Sequence, residues 1–125
     1  MLANAFTMAT IPAEDLERAV KFYSDVLGLK PAESPAEGSA LFEAGGGSQI
    51  FVYQRGRSTA QHTAIHFVVE NLEYTVDELL NRGVTFEQYQ NDAFSTDEKG
   101  IATMGDSKMA WLTDPEGNIL GLLSR

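Results

Sequence analysis

The chain has 125 residues, of which 43% are hydrophobic and 22% charged, and it contains no cysteine. This composition is typical of a globular domain that can bury a core, and the lack of cysteine excludes disulfides, thiolate metal sites and a cysteine nucleophile. The formal net charge of −9 disfavours nucleic acid and anionic membranes as partners. Because the sequence has no signal-peptide pattern and no apolar run of the ~20 residues that a membrane span needs, it predicts a soluble cytoplasmic protein.

The first half of the chain begins with a strand-like run at 5–13, and a predicted helix follows it. Asp15 is a good N-cap residue, because its side-chain oxygen can accept hydrogen bonds from the free amides of the first turn. Apolar residues then recur at helical spacing, at positions 16, 19, 20, 23, 26 and 27. Gly28 suits the left-handed position that ends a helix, and further strands are predicted at 38–44 and 49–55.

The second half repeats this order of elements, and residues 66–86 align with residues 10–30. A strand-like run at 63–70 precedes Asn71, a second N-cap candidate. Apolar residues follow at helical spacing, at positions 72, 76, 79 and 80, and Gly83 suits the end of that helix. Three strand-like segments complete the half, at 84–90, 100–106 and 109–124, and the last of them contains the tight turn Asp114–Asn118.

Each half therefore has the order strand, helix and three strands, which predicts an internal duplication. We expect an α+β fold of tandem βαβββ modules, at 4–55 and 62–123, within one domain spanning 1–125. The helices should lie outside a curled, mostly antiparallel sheet. The polar stretch 90–100 is either a lid over a binding site or an ordinary surface loop.

Two motifs carry a resemblance to a known family: "DLERAVKFYSDVLGL" at 15–29 and "DPEGNILGL" at 114–122. In this order and at this separation they resemble the vicinal oxygen chelate (VOC) superfamily, which includes glyoxalase I, extradiol dioxygenases and bleomycin-resistance proteins. The resemblance implies the glyoxalase/bleomycin-resistance fold, in which paired modules form a cleft that holds a small organic ligand. It also implies a homodimer.

The metal-dependent members of that superfamily carry ligands at defined points of the pattern. The resemblance maps three of these points onto Met8, Ala64 and Gly121, and a fourth near Ile50–Val52. None of these positions offers a carboxylate or an imidazole, whereas a divalent ion needs several converging oxygen or imidazole donors. We therefore expect no metal ion and no cofactor.

Alternation along the strands predicts which side chains would line the cleft. The predicted ligand-binding residues are Met8, Thr10, Tyr53, Ala64, His66, Trp111 and Gly121. A mostly apolar lining with one hydroxyl and one imidazole suits a flat or hydrophobic organic ligand. Gly121 either leaves room for the ligand or another backbone, or only relieves a crowded bend of the sheet.

The aromatic and imidazole side chains of this set have two interpretations each. Tyr53 and Trp111 either stack on a planar ligand or pack in the core. His66 is either an acid or base, since histidine exchanges protons near neutral pH, or a structural residue satisfied by a neighbouring hydroxyl or carbonyl.

The sequence therefore predicts a metal-free protein of the VOC superfamily that binds a small, largely hydrophobic organic molecule, as in bleomycin-resistance-like sequestration. The alternative is an enzyme of the same superfamily, of the glyoxalase, dioxygenase or lyase type. Such an enzyme would use His66, or a metal held at positions other than the usual ones.

Overall fold

The computed structural model describes all 125 residues and divides into two units, Met1–Thr59 and Ala60–Arg125. Each unit contains a four-stranded mixed sheet and one main helix. In each unit the elements follow the order strand, helix and three strands. The predicted α+β class, with its repeated βαβββ order, is confirmed.

The first unit builds its sheet from β1 (Ala9–Ala13), β2 (Lys30–Ala32), β3 (Ser39–Glu43) and β4 (Gln49–Gln54). The strand order is β1-β4-β3-β2, with β1 parallel to β4 and the other pairs antiparallel. Its helix, α1 (Leu16–Lys21), continues as a π-helical turn over Phe22–Val26. As expected, the Asp15 side chain caps α1 by accepting a hydrogen bond from the Arg18 amide at 3.1 Å.

The sheet of the first unit has two unlike faces. On the face that packs against α1, which we call the helix face, Ile11, Ala13, Ile50 and Val52 are buried. The side chains at the alternate positions point the other way, onto what we call the open face. Thr10 is exposed on this open face, and Phe51 and Tyr53 are half-buried.

The second unit builds its sheet from β5 (Thr63–Val68), β6 (Ala102–Met104), β7 (Ser107–Thr113) and β8 (Ile119–Ser124). The order is β5-β8-β7-β6, and β5 is parallel to β8. The helix α2 (Leu72–Asn81) lies against β7 and β8. Asn71 caps it by accepting from the Tyr74 amide at 3.0 Å, and Gly83, at φ 89°, follows its end in the predicted left-handed conformation.

The structure corrects several predicted elements. Residues 84–90 form no continuous strand: the Glu87 amide donates to the Trp111 carbonyl of β7 at 2.8 Å, whereas Tyr89 exchanges hydrogen bonds with Thr96 of the following loop at 2.9 Å. Only Phe86 and Gln90 make isolated bridges, to Leu112 and Ser95.

Other corrections concern strand limits and one apolar position. The strand β2 is short and contains Pro31, so it lacked the alternating pattern of a strand. The run 109–124 is two antiparallel strands, β7 and β8. Leu80, predicted on the buried stripe of the second helix, is 37% exposed. Neither helix is long and apolar enough to span a bilayer.

Candidate functional site

The turn Asp114–Asn118 sets the position of β8. One carboxylate oxygen of Asp114 accepts hydrogen bonds from the Glu116 and Asn118 amides, both at 2.8 Å, and the other accepts from the Asn118 side chain at 2.9 Å. Gly117 adopts φ 86°, a left-handed conformation that glycine reaches without steric cost. This local network reverses the direction of the chain, so that β8 pairs with β7 in antiparallel orientation and Gly121 lies opposite Trp111.

Gly121 lies beneath the imidazole of His66. The two residues are direct partners across β5 and β8. A Cβ built on Gly121 would lie 2.4 Å from His66 Cδ2 and 2.6 Å from His66 Nε2. The glycine therefore accommodates the imidazole of the neighbouring strand, which neither interpretation of the sequence anticipated.

His66, Gly121 and Trp111 form one row across the open face of the second unit, the face turned away from α2. Pairing across β5, β8 and β7 places them in register, with Gly121 in the middle. His66 is exposed and Gly121 is buried, and the His66 side chain makes no hydrogen bond. The structure thus brings three of the predicted site residues together.

Trp111 is covered by its own unit. Its side chain is 7% exposed, because the Phe94 ring stacks on it with centroids 4.9 Å apart and an interplanar angle of 25°. Tyr89 meets the same indole edge-on at 5.3 Å. A ligand could stack on the indole face that Phe94 occupies only after Phe94 moves away.

The loop that carries Tyr89 and Phe94 is held by hydrogen bonds within the second unit. The Asn91 side chain accepts from the Ala93 and Phe94 amides at 2.9 and 3.0 Å. The Lys99 ammonium donates to Asp77 on α2 at 2.7 Å, and this carboxylate raises the pKa of Lys99. These contacts indicate an ordered cover over Trp111 rather than a free lid.

Tyr89 is the titratable member of that cover. Burial raises the pKa of its phenol, and the nearby Glu87 carboxylate raises it further. Both effects disfavour the phenolate.

Ala64, the other position that the resemblance maps to a metal ligand in this unit, lies at an irregularity of β5. Thr63 pairs with Ile119 and Ile65 pairs with Leu120, so Ala64 has no partner of its own on β8. Strict alternation from His66 therefore does not describe this part of the strand. Ala64 is exposed, and its methyl group offers no donor to a cation.

In the first unit, Thr10 and Tyr53 share the open face. Thr10 pairs with Phe51 across β1 and β4, and Pro12 pairs with Tyr53. The rings of Phe51 and Tyr53 stack with centroids 6.4 Å apart and an interplanar angle of 10°. Phe51 was not among the predicted residues, although its alternation with Tyr53 on the predicted strand 49–55 indicated the shared face.

Arg55 extends this row beyond the end of β4. Its guanidinium donates a hydrogen bond to the Tyr53 hydroxyl at 3.1 Å and lies 5.9 Å from the centre of that ring. The hydrogen bond that Arg55 donates to the Tyr53 hydroxyl raises the pKa of Arg55, so the side chain keeps its charge.

Met8 precedes β1 instead of lying on it. The strand starts at Ala9, opposite Ile50. Met8 is 45% exposed, next to the more exposed Phe6 (96%).

The donor chemistry of these positions does not fit the metal centre that the resemblance implied. Neither unit brings together three or more histidine, aspartate or glutamate side chains that could hold a metal ion. Met8, Ala64 and Gly121 lack carboxylate and imidazole groups, and the imidazole of His66 occupies the space where a side chain on Gly121 would begin.

Comparisons with known proteins agree with this fold. The sequence model of the Glyoxalase/Bleomycin resistance protein/Dioxygenase superfamily matches residues 5–122. No curated protein matches the chain. Several solved structures resemble it at low sequence identity, which is evidence for the fold alone.

A putative glyoxalase family protein from Bacillus anthracis has a TM-score of 0.72 and 17% identity, covering 97% of this chain and 96% of its own. Lactoylglutathione lyase from Agrobacterium tumefaciens has a TM-score of 0.68 and 17% identity, with 97% and 93% covered. The genomically encoded fosfomycin resistance protein FosX from Listeria monocytogenes, complexed with Mn(II) and sulfate ion, has a TM-score of 0.71 and 11% identity, with 97% and 90% covered.

Proposed function

Because the chain belongs to the Glyoxalase/Bleomycin resistance protein/Dioxygenase superfamily, we propose that it binds a small, largely hydrophobic organic molecule without a metal ion. Sequestration of such a molecule, as in the bleomycin-resistance-like proteins, requires shape and stacking surface but no reactive group. The proposal includes the homodimer that the resemblance implies. Sedimentation equilibrium would test this homodimer directly.

The observation that carries the metal-free proposal is the packing of His66 over Gly121. A carboxylate at position 121 would start from a Cβ only 2.4 Å from the imidazole, so the His66 ring occupies the space that such a side chain would need. Ala64, the neighbouring position on β5, adds no donor. A single exposed imidazole does not supply the several converging ligands that a divalent ion requires.

The ligand surface that we propose lies on the open face of the first unit, around Thr10 and Tyr53. Its support is the accessible pair of parallel rings, Phe51 and Tyr53. Aromatic side chains stack well on planar organic molecules, and a mostly apolar lining with a few polar groups is typical of small-molecule sites.

Elemental analysis of the purified protein tests the metal-free part. After dialysis against a chelator and exposure to Mn²⁺, Ni²⁺, Zn²⁺ or Fe²⁺ in turn, we expect less than stoichiometric metal and an unchanged melting temperature. The His62→Ala and His66→Ala variants serve as controls for incidental binding by an imidazole. One equivalent of metal whose removal lowers the melting temperature would refute the proposal.

A thermal-shift screen with aromatic metabolites and hydrophobic antibiotics tests the binding part. Ligands that raise the melting temperature of the wild type should do so less in Tyr53→Leu, whose sheet is otherwise unchanged. The matched control is Tyr74→Leu, because Tyr74 is an exposed tyrosine on α2, with a side chain 63% exposed. A screen without any stabilising compound would count against ligand binding.

One observation favours the enzyme alternative: His66 is an exposed imidazole on the open face of its unit, accessible to a substrate. An imidazole in this position can serve as a general acid or base toward a bound substrate. Any turnover found with a candidate substrate should then fall at least ~100-fold in His66→Ala. Turnover that survives this substitution would eliminate His66 as the acid or base.

A further inference from the structure

A row of three side chains along β4 ends in a cation. Phe51, Tyr53 and Arg55 alternate on one face of the strand and its extension, and two residues of a strand rise by about 6.6 Å. The measured spacings match this rise: 6.4 Å between the two ring centres and 5.9 Å from the Tyr53 ring to the Arg55 guanidinium. The row therefore runs from an apolar end to a charged end over about 13 Å.

Arg55 is fixed at both its backbone and its side chain. Its amide donates to the Ala13 carbonyl at 3.0 Å, which continues the pairing of β1 and β4 by one residue. Its guanidinium donates to the Tyr53 hydroxyl at 3.1 Å. A guanidinium carries five N–H donors, so most of them remain available for an acceptor from outside the protein.

The strand residues that pair with Tyr53, beside this guanidinium, carry no charge. The open-face partners of Tyr53, the residue that holds Arg55, are Pro12 on β1 and Ser39 on β3. The acidic residue on that face of β3 is Glu43, which pairs with Gln49 at the opposite end of β4. The chain has 18 acidic residues and 9 basic ones. Arg55 makes no ion pair with any of the acidic residues.

From this arrangement we infer that the first unit recognises planar aromatic molecules that carry an anionic group, with Arg55 binding the anion and the rings of Tyr53 and Phe51 stacking on the apolar body. The inference rests on the proposed function and narrows its ligand class. Arginine binds carboxylates through two parallel N–H donors. A local cation is needed because the net charge of the protein repels anions.

A matched pair of probes tests the inference: naphthalene-2-carboxylate and naphthalene-2-carboxamide, which share the ring system and differ in charge. Calorimetric titration at pH 7 and low ionic strength should show that the wild type binds the carboxylate about tenfold more tightly than the carboxamide. In Arg55→Gln this preference should disappear, while the affinity for the carboxamide stays unchanged. Tyr53→Leu should weaken binding of both probes.

Lys21→Gln is the charge-matched control. It removes one positive charge from the same unit, but from α1, which packs on the helix face of the sheet. The preference for the carboxylate should survive this change, which separates recognition by Arg55 from a general effect of net charge. Circular dichroism of each variant verifies that the fold is retained.

The possible failures are distinguishable. Equal affinity for the two probes in the wild type, or a preference that persists in Arg55→Gln, would overturn the role of Arg55 and leave the binding of hydrophobic molecules intact. If the wild type binds neither probe, this inference is wrong. A thermal-shift screen that also finds no stabilising compound would then remove the proposed function as well.

Discussion

The two units share an order of elements but differ in how they treat the open face of their sheets. In the first unit the rings of Phe51 and Tyr53 remain accessible on that face. In the second unit Phe94 and Tyr89 cover Trp111, and the ring of His66 fills the space above Gly121. The same backbone plan thus supports an accessible aromatic surface in one unit and a packed one in the other.

The difference arises from the connection between the helix and the last three strands. In the first unit only residues 27–29 connect the helical segment to β2, and Phe51 and Tyr53 on the open face are half-buried. In the second unit the connection is the longer segment between α2 and β6, which folds back on itself through Thr96 and Asn91. Connections vary more readily than the strands they join, so a duplicated framework can acquire two different surfaces.

The largest expected effect concerns the two aromatic residues on the open faces. Trp111→Ala should destabilise the protein by about 3–5 kcal/mol, because it leaves a cavity beneath Phe94 and Tyr89. Tyr53→Ala should cost only about 1 kcal/mol, since the Tyr53 ring is partly in water already. Urea unfolding, followed by circular dichroism, measures both values.

If these two substitutions lower the free energy of unfolding equally, the open face of the second unit is no more covered than that of the first. Phe94→Ala gives a second, spectroscopic check on the cover. Loss of the stacked ring should expose the indole and shift the fluorescence of Trp111, the only tryptophan, to longer wavelength.

Local signals in the sequence predicted the framework well. Asp15 and Asn71 both cap helices, because a side-chain oxygen directly before a helix can accept a hydrogen bond from the free amides of the first turn. Gly28 and Gly83 both adopt positive φ after those helices. These features depend on a few adjacent residues, so they can be predicted from a short stretch of sequence.

The features that the sequence did not predict depend on contacts between distant residues. The segment 84–90 has an alternating pattern, yet it meets β7 only near Phe86 and Glu87, and the backbone of Tyr89 bonds instead to Thr96. The role of Gly121 depends on the side chain of His66, 55 residues away in the chain and adjacent in the sheet. Arg55 ends the predicted strand 49–55 and had no predicted role in a site; the contacts of its guanidinium with the Tyr53 ring and hydroxyl give it one.

A smaller effect is expected at the contact between His66 and Gly121. The imidazole that a Cβ at position 121 would meet is the far end of an exposed side chain, so it can rotate away. Gly121→Ala should therefore cost less than ~1 kcal/mol, and the cost should vanish in the His66→Ala background. If the two substitutions lower the free energy of unfolding additively, the crowding at position 121 does not come from the His66 side chain.

The smallest expected effect is confined to alkaline pH and involves Tyr89 in the cover over Trp111. Its pKa in the folded protein is raised by burial and by Glu87, so the neutral phenol contributes stability that is fully present below about pH 10, the ordinary pKa of tyrosine. This contribution is lost as the pH rises through the higher pKa of the folded state. Tyr89→Phe should leave stability at pH 7 nearly unchanged and should reduce the loss of stability above pH 10, as measured by urea unfolding at a series of pH values. Tyr74→Phe, which alters an exposed tyrosine on α2, should retain the alkaline loss of the wild type; an identical pH profile for all three proteins would show that the phenol of Tyr89 is not held in the cover.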